Sequence, residues 1–295
     1  MALTLPCDTA RIVSLDEYVG HIKSKVDFQD LESIVASAPM LRELANDRTL
    51  VLNQLNQAVE NNFKRIYLRS AQAFVLARSD DFFVRAAIWP PSTSVATGRV
   101  YQEQFSYNLA HDHNFSFMTV NYLGPGYDTD IYEYDYEKVI GYIGEPADIR
   151  FLEKKRFGPG SVMLYRGSKD LHIQHPPPEL TITLNLMWAP ADVRRHEQFI
   201  FDLDRKIISG YAGDGDANKR ISLLSMAGYL GDSNTQDLLA DLARRHPCRR
   251  SRLAAYEALV RLAPSQASAI WERACGDPAP LVTRVAREKL TKLAN

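Results

Sequence analysis

Cysteine is scarce in this chain: three residues in 295, Cys7, Cys248 and Cys275, far apart in sequence. That excludes a disulfide framework and a cysteine zinc knuckle, both of which need several closely spaced thiols. The expectation is a reducing, cytoplasmic setting. Net charge is nearly absent as well. With 35 Lys+Arg against 36 Asp+Glu the balance is −1, so no global field draws the chain to nucleic acid or to an anionic membrane. No apolar run approaches the roughly 20 residues that a membrane-spanning helix needs. The start, MALTLPCDTARIVSLDEY, has no basic stretch followed by a long apolar core, so no secretory signal is expected.

What is present divides the chain into three regions. Residues 1–64 read as helical. Ser14-Leu15-Asp16-Glu17 has the spacing at which a serine and the third-following glutamate satisfy free amides at a helix start. Val51, Leu52, Leu55 and Val59 share one helical face. This region is assigned no chemistry and is expected to pack on the next. Residues 65–205 carry short β-rich segments: IYLRSAQAFVLAR, FFVRAAIW, FSFMTVNYL, TDIYEYDYE, KVIGYIG, SVMLYR and LTITLNLMW. PPS, GPGYD, GEPAD, FGPG and HPPPE separate them as turns, a rhythm that predicts a sandwich or small barrel. Residues 215–295 turn helical again, with an echo at 227–230 (AGYL), 259–262 (LVRL) and 290–293 (LTKL). This last region resembles a short array of HEAT-type repeats, in which stacked hairpins bury faces that one hairpin cannot.

The chemistry concentrates in NLAHDHNFSFM, residues 108–118. Residues two apart on a strand point to the same face, so His111 and His113 can aim both imidazoles at one point. Imidazole suits zinc, iron, copper and nickel, and the pair alone selects none of them. Further on, GPGSVMLYRGSKDLHIQH places a strand after a glycine turn and leads to His172, with His175 three residues later.

This order of an HxH strand, a hairpin, a turn-bounded strand and one more histidine resembles the cupin superfamily of small β-barrels. Within it, HDHNFSFMTVNYLG and the spacing from Gly160 to His172 are similar to the thiol (cysteine) dioxygenase group. The resemblance covers roughly residues 100–190. It implies a cupin-like β-barrel (a double-stranded β-helix), an α+β fold class overall, and a three-histidine site for Fe(II) made by His111, His113 and His172. Cupins commonly place a glutamate ligand five residues after the second histidine. Here that position is Met118, and loss of the glutamate is a feature of the three-histidine group. That group also has a serine, a histidine and a tyrosine in a relay near the site. The corresponding strand here offers Thr183, Asn185 and Met187, so the resemblance implies the metal site and not the relay.

Other side chains compete for places around such a site. Leucine precedes His172, while Pro176-Pro177-Pro178 pulls His175 toward a loop, so His172 is the expected third ligand. Glu133, with Asp135 and Glu137, sits opposite Tyr132, Tyr134 and Tyr136 in alternation. The acids are expected to face water, with Glu133 the one carboxylate that can replace a ligand. Arg85 and Arg166 are candidates to hold a substrate carboxylate in paired hydrogen bonds, and Arg85, set between apolar strand residues, reads as an inward charge. Tyr165 and Trp188 are candidates to line a pocket, and Thr183 to supply a hydroxyl.

The expected function is a non-haem iron(II) oxygenase of dioxygenase type, taking dioxygen and an amino acid or peptide-type substrate. Two alternatives stand beside it: a 2-oxoglutarate-dependent oxygenase with a carboxylate ligand, and a non-catalytic binding scaffold. Residues 216–295 hold 13 Lys+Arg against 8 Asp+Glu, with Arg244, Arg245, Arg249, Arg250 and Arg252 around one turn. Such a run reads either as a solvated connection or as a candidate docking surface for an acidic peptide or protein partner. It is too small a footprint for nucleic acid, and no membrane role is expected.

Overall fold

The computed structural model describes residues 2–62, 68–70, 72–91, 105–188, 196–212 and 216–294. The chain forms two compact units, Met1–Tyr134 with Ile149–Pro190, and Asp135–Asp148 with Ala191–Asn295.

In the first unit β1 (Leu3–Leu5) precedes four helices, α1 (Leu15–Lys25), α2 (Leu31–Ala36), α3 (Ala38–Asn46) and α4 (Leu50–Glu60). Ten further strands follow: β2 (Leu68–Ser70), β3 (Ala73–Arg78), β4 (Phe82–Trp89), β5 (His111–Asp112), β6 (Ser116–Leu123), β7 (Tyr127–Glu133), β8 (Arg150–Phe157), β9 (Val162–Tyr165), β10 (Asp170–Gln174) and β11 (Thr181–Trp188). They build two antiparallel sheets, one in the order β1-β9-β6-β11-β4-β3-β2 and one in which β5-β10-β7-β8 are neighbours. The expected closed barrel is thus corrected to two separate sheets. One reason lies in β8, an edge strand whose Arg150, Glu153, Lys154, Lys155 and Arg156 discourage further pairing.

Strand β11 explains the layering. It is buried at all eight positions, because its two faces meet different partners. Ile182, Leu184, Leu186 and Trp188 join Tyr18, Ile22, Leu41, Leu44 and Val51 in the core under the N-terminal helices. On the other face Met187 packs with Trp89, Phe117 and Tyr165 of its own sheet and with Tyr127, Ile131 and Phe157 of the second sheet. The space between the sheets also receives Thr181, Thr183 and Asn185, so this interior is polar as well as aromatic. The turn from β6 to β7 depends on glycine. Gly126 has φ +80°, and a Cβ there would lie 1.7 Å from the Phe157 carbonyl oxygen.

Several expectations change here. Within residues 2–62 four helices follow β1 with loops before and between them, and residues 63–67 lie outside the described residues. In IYLRSAQAFVLAR, so do Ile66, Tyr67 and Ala71. Helix α4 buries Leu50, Val51 and Ala58, whereas Leu52, Leu55 and Val59 are exposed. The segment KVIGYIG is a loop: Gly141 and Gly144 have φ of +89° and +90°, and the Glu145 carboxylate accepts from the backbone amides of Ile140, Gly141 and Tyr142. In TDIYEYDYE the strand stops at Glu133, and Asp135 caps a short 3-10 turn.

Of the Ser14–Glu17 reading the serine half holds, while the Glu17 carboxylate pairs with Arg11. The Ser14 side chain accepts from the Glu17 amide at 3.1 Å and caps α1. Ser14→Ala is expected to cost about 1 kcal/mol, seen as a lower denaturant midpoint with an unchanged slope.

The second unit contains the hairpin β12 (Phe199–Asp202) and β13 (Ile207–Tyr211), then α5 (Asp216–Leu230), α6 (Ser233–Arg245), α7 (Arg249–Leu262), α8 (Ala267–Ala274) and α9 (Pro280–Ala294). The three echoed tetrapeptides fall in the last turns of α5, α7 and α9. Leu239, Leu259, Ile270, Trp271 and Val282 form a core shared by the four helices from α6 to α9. The basic corner is largely engaged. Arg252 and Asp277 pair through two bonds of 2.8 Å, Arg250 pairs with Glu197, and Arg244 and Arg245 with Asp241. Among the described residues no helix is long and apolar enough to cross a membrane.

Candidate metal centre

His111 opens β5 and lies directly opposite His172 on β10. His113 follows two residues later and points to the same side. One potential ligand atom from each imidazole lies within 4.8 Å of the other two. His111 Nε2 and His172 Nε2 are 3.3 Å apart, and the ring centroids stand 4.7 to 5.2 Å from one another. His172 is 1 % exposed and His111 7 %.

The local structure sets the rings. His111 Nδ1 is 2.9 Å from the Leu109 carbonyl oxygen. A carbonyl only accepts, so Nδ1 carries the proton and Nε2 turns its lone pair into the cluster. Between the two histidines, Asp112 faces the other way, and its fully buried carboxylate accepts from the Tyr134 hydroxyl at 2.5 Å. Aromatic rings wall the cluster. Phe117 stacks on Tyr165 at 4.7 Å, Tyr165 meets His172 edge-on at 4.8 Å, and Phe115 stacks on His113 at 4.7 Å.

Burial lowers the proton affinity of both buried imidazoles. Desolvation depresses His111 against the opposing pull of its Leu109 bond, and it depresses His172 further, with the charges of His111 and His113 adding to it. An unfolded chain takes up protons at these positions near pH 6.5, the folded chain only below that. The metal-free protein is therefore expected to keep its full stability above about pH 6.5 and to lose stability as the pH falls through that value. Urea midpoints at pH 7.5 and 5.5 test this, and the drop should be smaller in a His111→Ala/His172→Ala double variant.

The remaining candidates divide. Arg85, Thr183 and Asn185 meet on the inner face of the larger sheet. With its carboxamide oxygen 3.2 Å from Arg85 Nε, Asn185 donates to Thr119 Oγ1 at 2.6 Å and to Thr183 Oγ1 at 3.2 Å. Thr183 also accepts from Trp89 Nε1 at 3.1 Å. Tyr127 lies near this group, its hydroxyl pushed up by burial and by Tyr165 and held back by Arg85. Burial likewise raises Tyr165, whose hydroxyl is 3.9 Å from Met163 Sδ.

Other expectations are corrected. Met118, expected to be no ligand, does lie outside the cluster, in the core beneath the helices, and Phe117 is the residue of that strand beside the histidines. The even spacing from His113 to Phe117 puts the phenyl on the inner face. Trp188 stacks on Phe28, also on the helix side. Arg166 is bound to Asp170 and Glu133. Glu133, paired with Arg150 as well, is pushed down to about 2 by that hydrogen bond and stays outside the cluster. Tyr132 packs on Phe151 at the surface. His175 is held by Asn108 and Asp130. Sequence reasoning missed Gln174, two residues after His172 and 4 % exposed, whose Nε2 is 3.1 Å from His172 Nε2. Its period-two spacing from His172 was the available signal.

No protein-family model matches the chain, and neither does any curated protein. Among solved structures, the chain is similar to the DMSP lyase DddQ from Ruegeria pomeroyi DSS-3, at 10 % identity over 65 % of this chain and 79 % of that one, with a TM-score of 0.24. It is also similar to CapF with the inhibitor 3-isopropenyl-tropolone (8 %, 67 % and 46 %, TM-score 0.24) and to E. coli ycfD (7 %, 72 % and 50 %, TM-score 0.21). Likeness at this level carries no argument about the chain's family or activity.

Proposed function

We propose that the first unit is a cupin-type metalloenzyme, a non-haem iron(II) oxygenase of dioxygenase type acting on an amino acid or peptide-type substrate. One observation supports this reading above the others: the buried His111 and His172 of the paired strands β5 and β10 and the half-buried His113 just past β5 converge, with the His111 lone pair turned inward. The donor set suits iron, zinc, copper or nickel, and iron is preferred because three neutral ligands leave its charge intact and positions open. When bound, it supplies a place where dioxygen and a chelating substrate meet. A dioxygenase outcome, with both oxygen atoms entering the substrate, balances without an external reductant.

The chain's own residues supply the rest. Arg85 orients a substrate carboxylate through its planar fork. Tyr165, its hydroxyl kept protonated by burial, holds a proton beside His172. Thr183 fixes Trp89 and Asn185 around Arg85. Phe115 and Phe117 keep water from the rings. The helices of the second unit, read as HEAT-like, recruit substrate or a protein partner.

Anaerobic iron loading followed by oxygen-electrode assays against amino acids and short peptides tests the proposal. About one iron per chain and substrate-dependent uptake support it. Retention below about a tenth of an equivalent would favour a scaffold. Uptake that requires 2-oxoglutarate would favour the carboxylate-ligand alternative, whose best candidate acid, Glu133, is already paired with Arg150 and Arg166.

A further inference from the structure

We infer that helix α5 is a dimerisation surface, on which a second copy of this chain lays its own α5 antiparallel. The inference is independent of the metal reading and starts from the two faces of the helix. One face is committed to the fold. Gly228 is buried, a Cβ there would lie 2.9 Å from the Ala258 Cα of α7, and Leu224 and Ala227 pack on the core of the helices that follow. The opposite face is apolar and open. Leu223, Met226, Tyr229 and Leu230 are 55 to 80 % exposed. At about 100° per residue they fall with the exposed Lys219 in one arc about 120° wide. The Arg261 guanidinium, 4.4 Å from the Tyr229 ring centre, fixes that ring at the edge of the arc. Leu223, Met226 and Leu230 have the a, d, a spacing of a coiled-coil seam, and Lys219 takes the d position before them. A contiguous stripe of this kind, unlike a single exposed leucine, marks a contact surface.

Two arguments name a second copy as the occupant. The first is charge complementarity. Antiparallel pairing that sets Leu223 opposite Met226 of the second copy also sets Lys219 opposite its Leu230. The lysine stem then covers that leucine, and the ammonium reaches the C-terminal carbonyls of the second α5 and the exposed Asp232 just beyond them. The same exchange occurs at both ends of the contact, as two-fold symmetry requires. The second argument is area. The four apolar side chains expose roughly 500 Å² per chain, so pairing removes roughly 1,000 Å² in all, about the threshold for a specific interface, and Lys219, Ser222 and Asp232 widen it.

Sedimentation velocity of the full chain from about 2 to 200 μM tests this, with dimer expected to replace monomer across that range. Met226→Glu brings two like charges together near the two-fold axis and is expected to weaken association at least about thirtyfold, Lys219→Glu about three- to tenfold. Leu223→Lys alone also weakens it. The double variant Leu223→Lys/Met226→Glu regains association, because each new cation then faces an anion across the contact. Leu55→Glu, on the exposed stripe of α4, is expected to change nothing. All these positions are exposed, so thermal melts should match wild type. Wild type that stays monomeric at about 200 μM overturns the inference, and a Met226→Glu protein that also melts lower would show the stripe covered within its own chain. A dimer that survives Met226→Glu, or that Leu55→Glu abolishes, overturns it as well. So does a double variant that associates no better than its two single variants. The Met226→Glu monomer should retain iron as wild type does, so the metal reading stands or falls separately.

Discussion

Replacing His172 with alanine is expected to lower iron affinity by about a hundredfold or more and to abolish iron-dependent oxygen uptake, whereas His175→Ala changes either by less than about twofold. The two residues are three apart, and that odd spacing separates their fates. His172 sits on β10 against His111, Tyr165 and Gln174 with 1 % of its surface exposed. His175 lies past the strand end, its ring nitrogens 3.1 Å from Asn108 and 2.8 Å from Asp130. Removing an imidazole that holds the cation forfeits a whole ligand, so the loss should exceed the 10- to 100-fold typical of an outer-shell partner. Iron content after anaerobic loading and desalting is the direct readout, and a far-UV spectrum shows that the variant folds. A His172→Ala protein that keeps one tightly held iron would end the metal assignment at this position.

That contrast was legible in the sequence because a strand's alternation is rigid. Once His111 and His113 share a face, the strand that pairs with theirs decides which later histidine joins them. The same alternation failed where the strand assignment was less certain. Five residues after His113, Met118 was read as a lost ligand position and does lie outside the cluster, in the core beneath the helices, but the residue of β6 at the rings, Phe117, was not foreseen. Trp188 was lost to the helix side by the same parity, since Met187 next to it faces the interior. Strand β8 was missed because RFLEKKRF has the charges of a solvated linker, which suits an exposed edge strand as well. KVIGYIG has strand composition, but the carboxylate of Glu145 gathers its amides into a turn. Composition does not foretell such a long-range choice of partner. Glu133 and Arg166 show the limit most clearly. Each reads as a free charge near a site, and in the fold Glu133 is held by Arg150 and Arg166, and Arg166 by Asp170 and Glu133.

Arg85→Met is expected to reduce kcat/KM for a carboxylate-bearing substrate about a thousandfold, or about 4 kcal/mol, with iron content unchanged. The guanidinium lies on the inner face of β4, its Nε 3.2 Å from the Asn185 oxygen, in a network that includes Thr119, Thr183 and Trp89. This support holds the fork in one plane, which is what paired hydrogen bonds to a carboxylate require. The loss should therefore fall mainly on KM, since the cation and its ligands are untouched. Arg85→Lys separates charge from geometry: it keeps the positive charge, loses the fork, and should fall between wild type and Arg85→Met. A matched pair of substrates sharpens the test. Wild type should prefer a free acid to its neutral amide, and Arg85→Met should erase most of that preference. A thermal melt checks that losing the bond to Asn185 has not loosened the sheet. If Arg85→Met folds and still discriminates acid from amide as wild type does, the carboxylate is held elsewhere. Arg85 would then be a structural member of the Asn185 network.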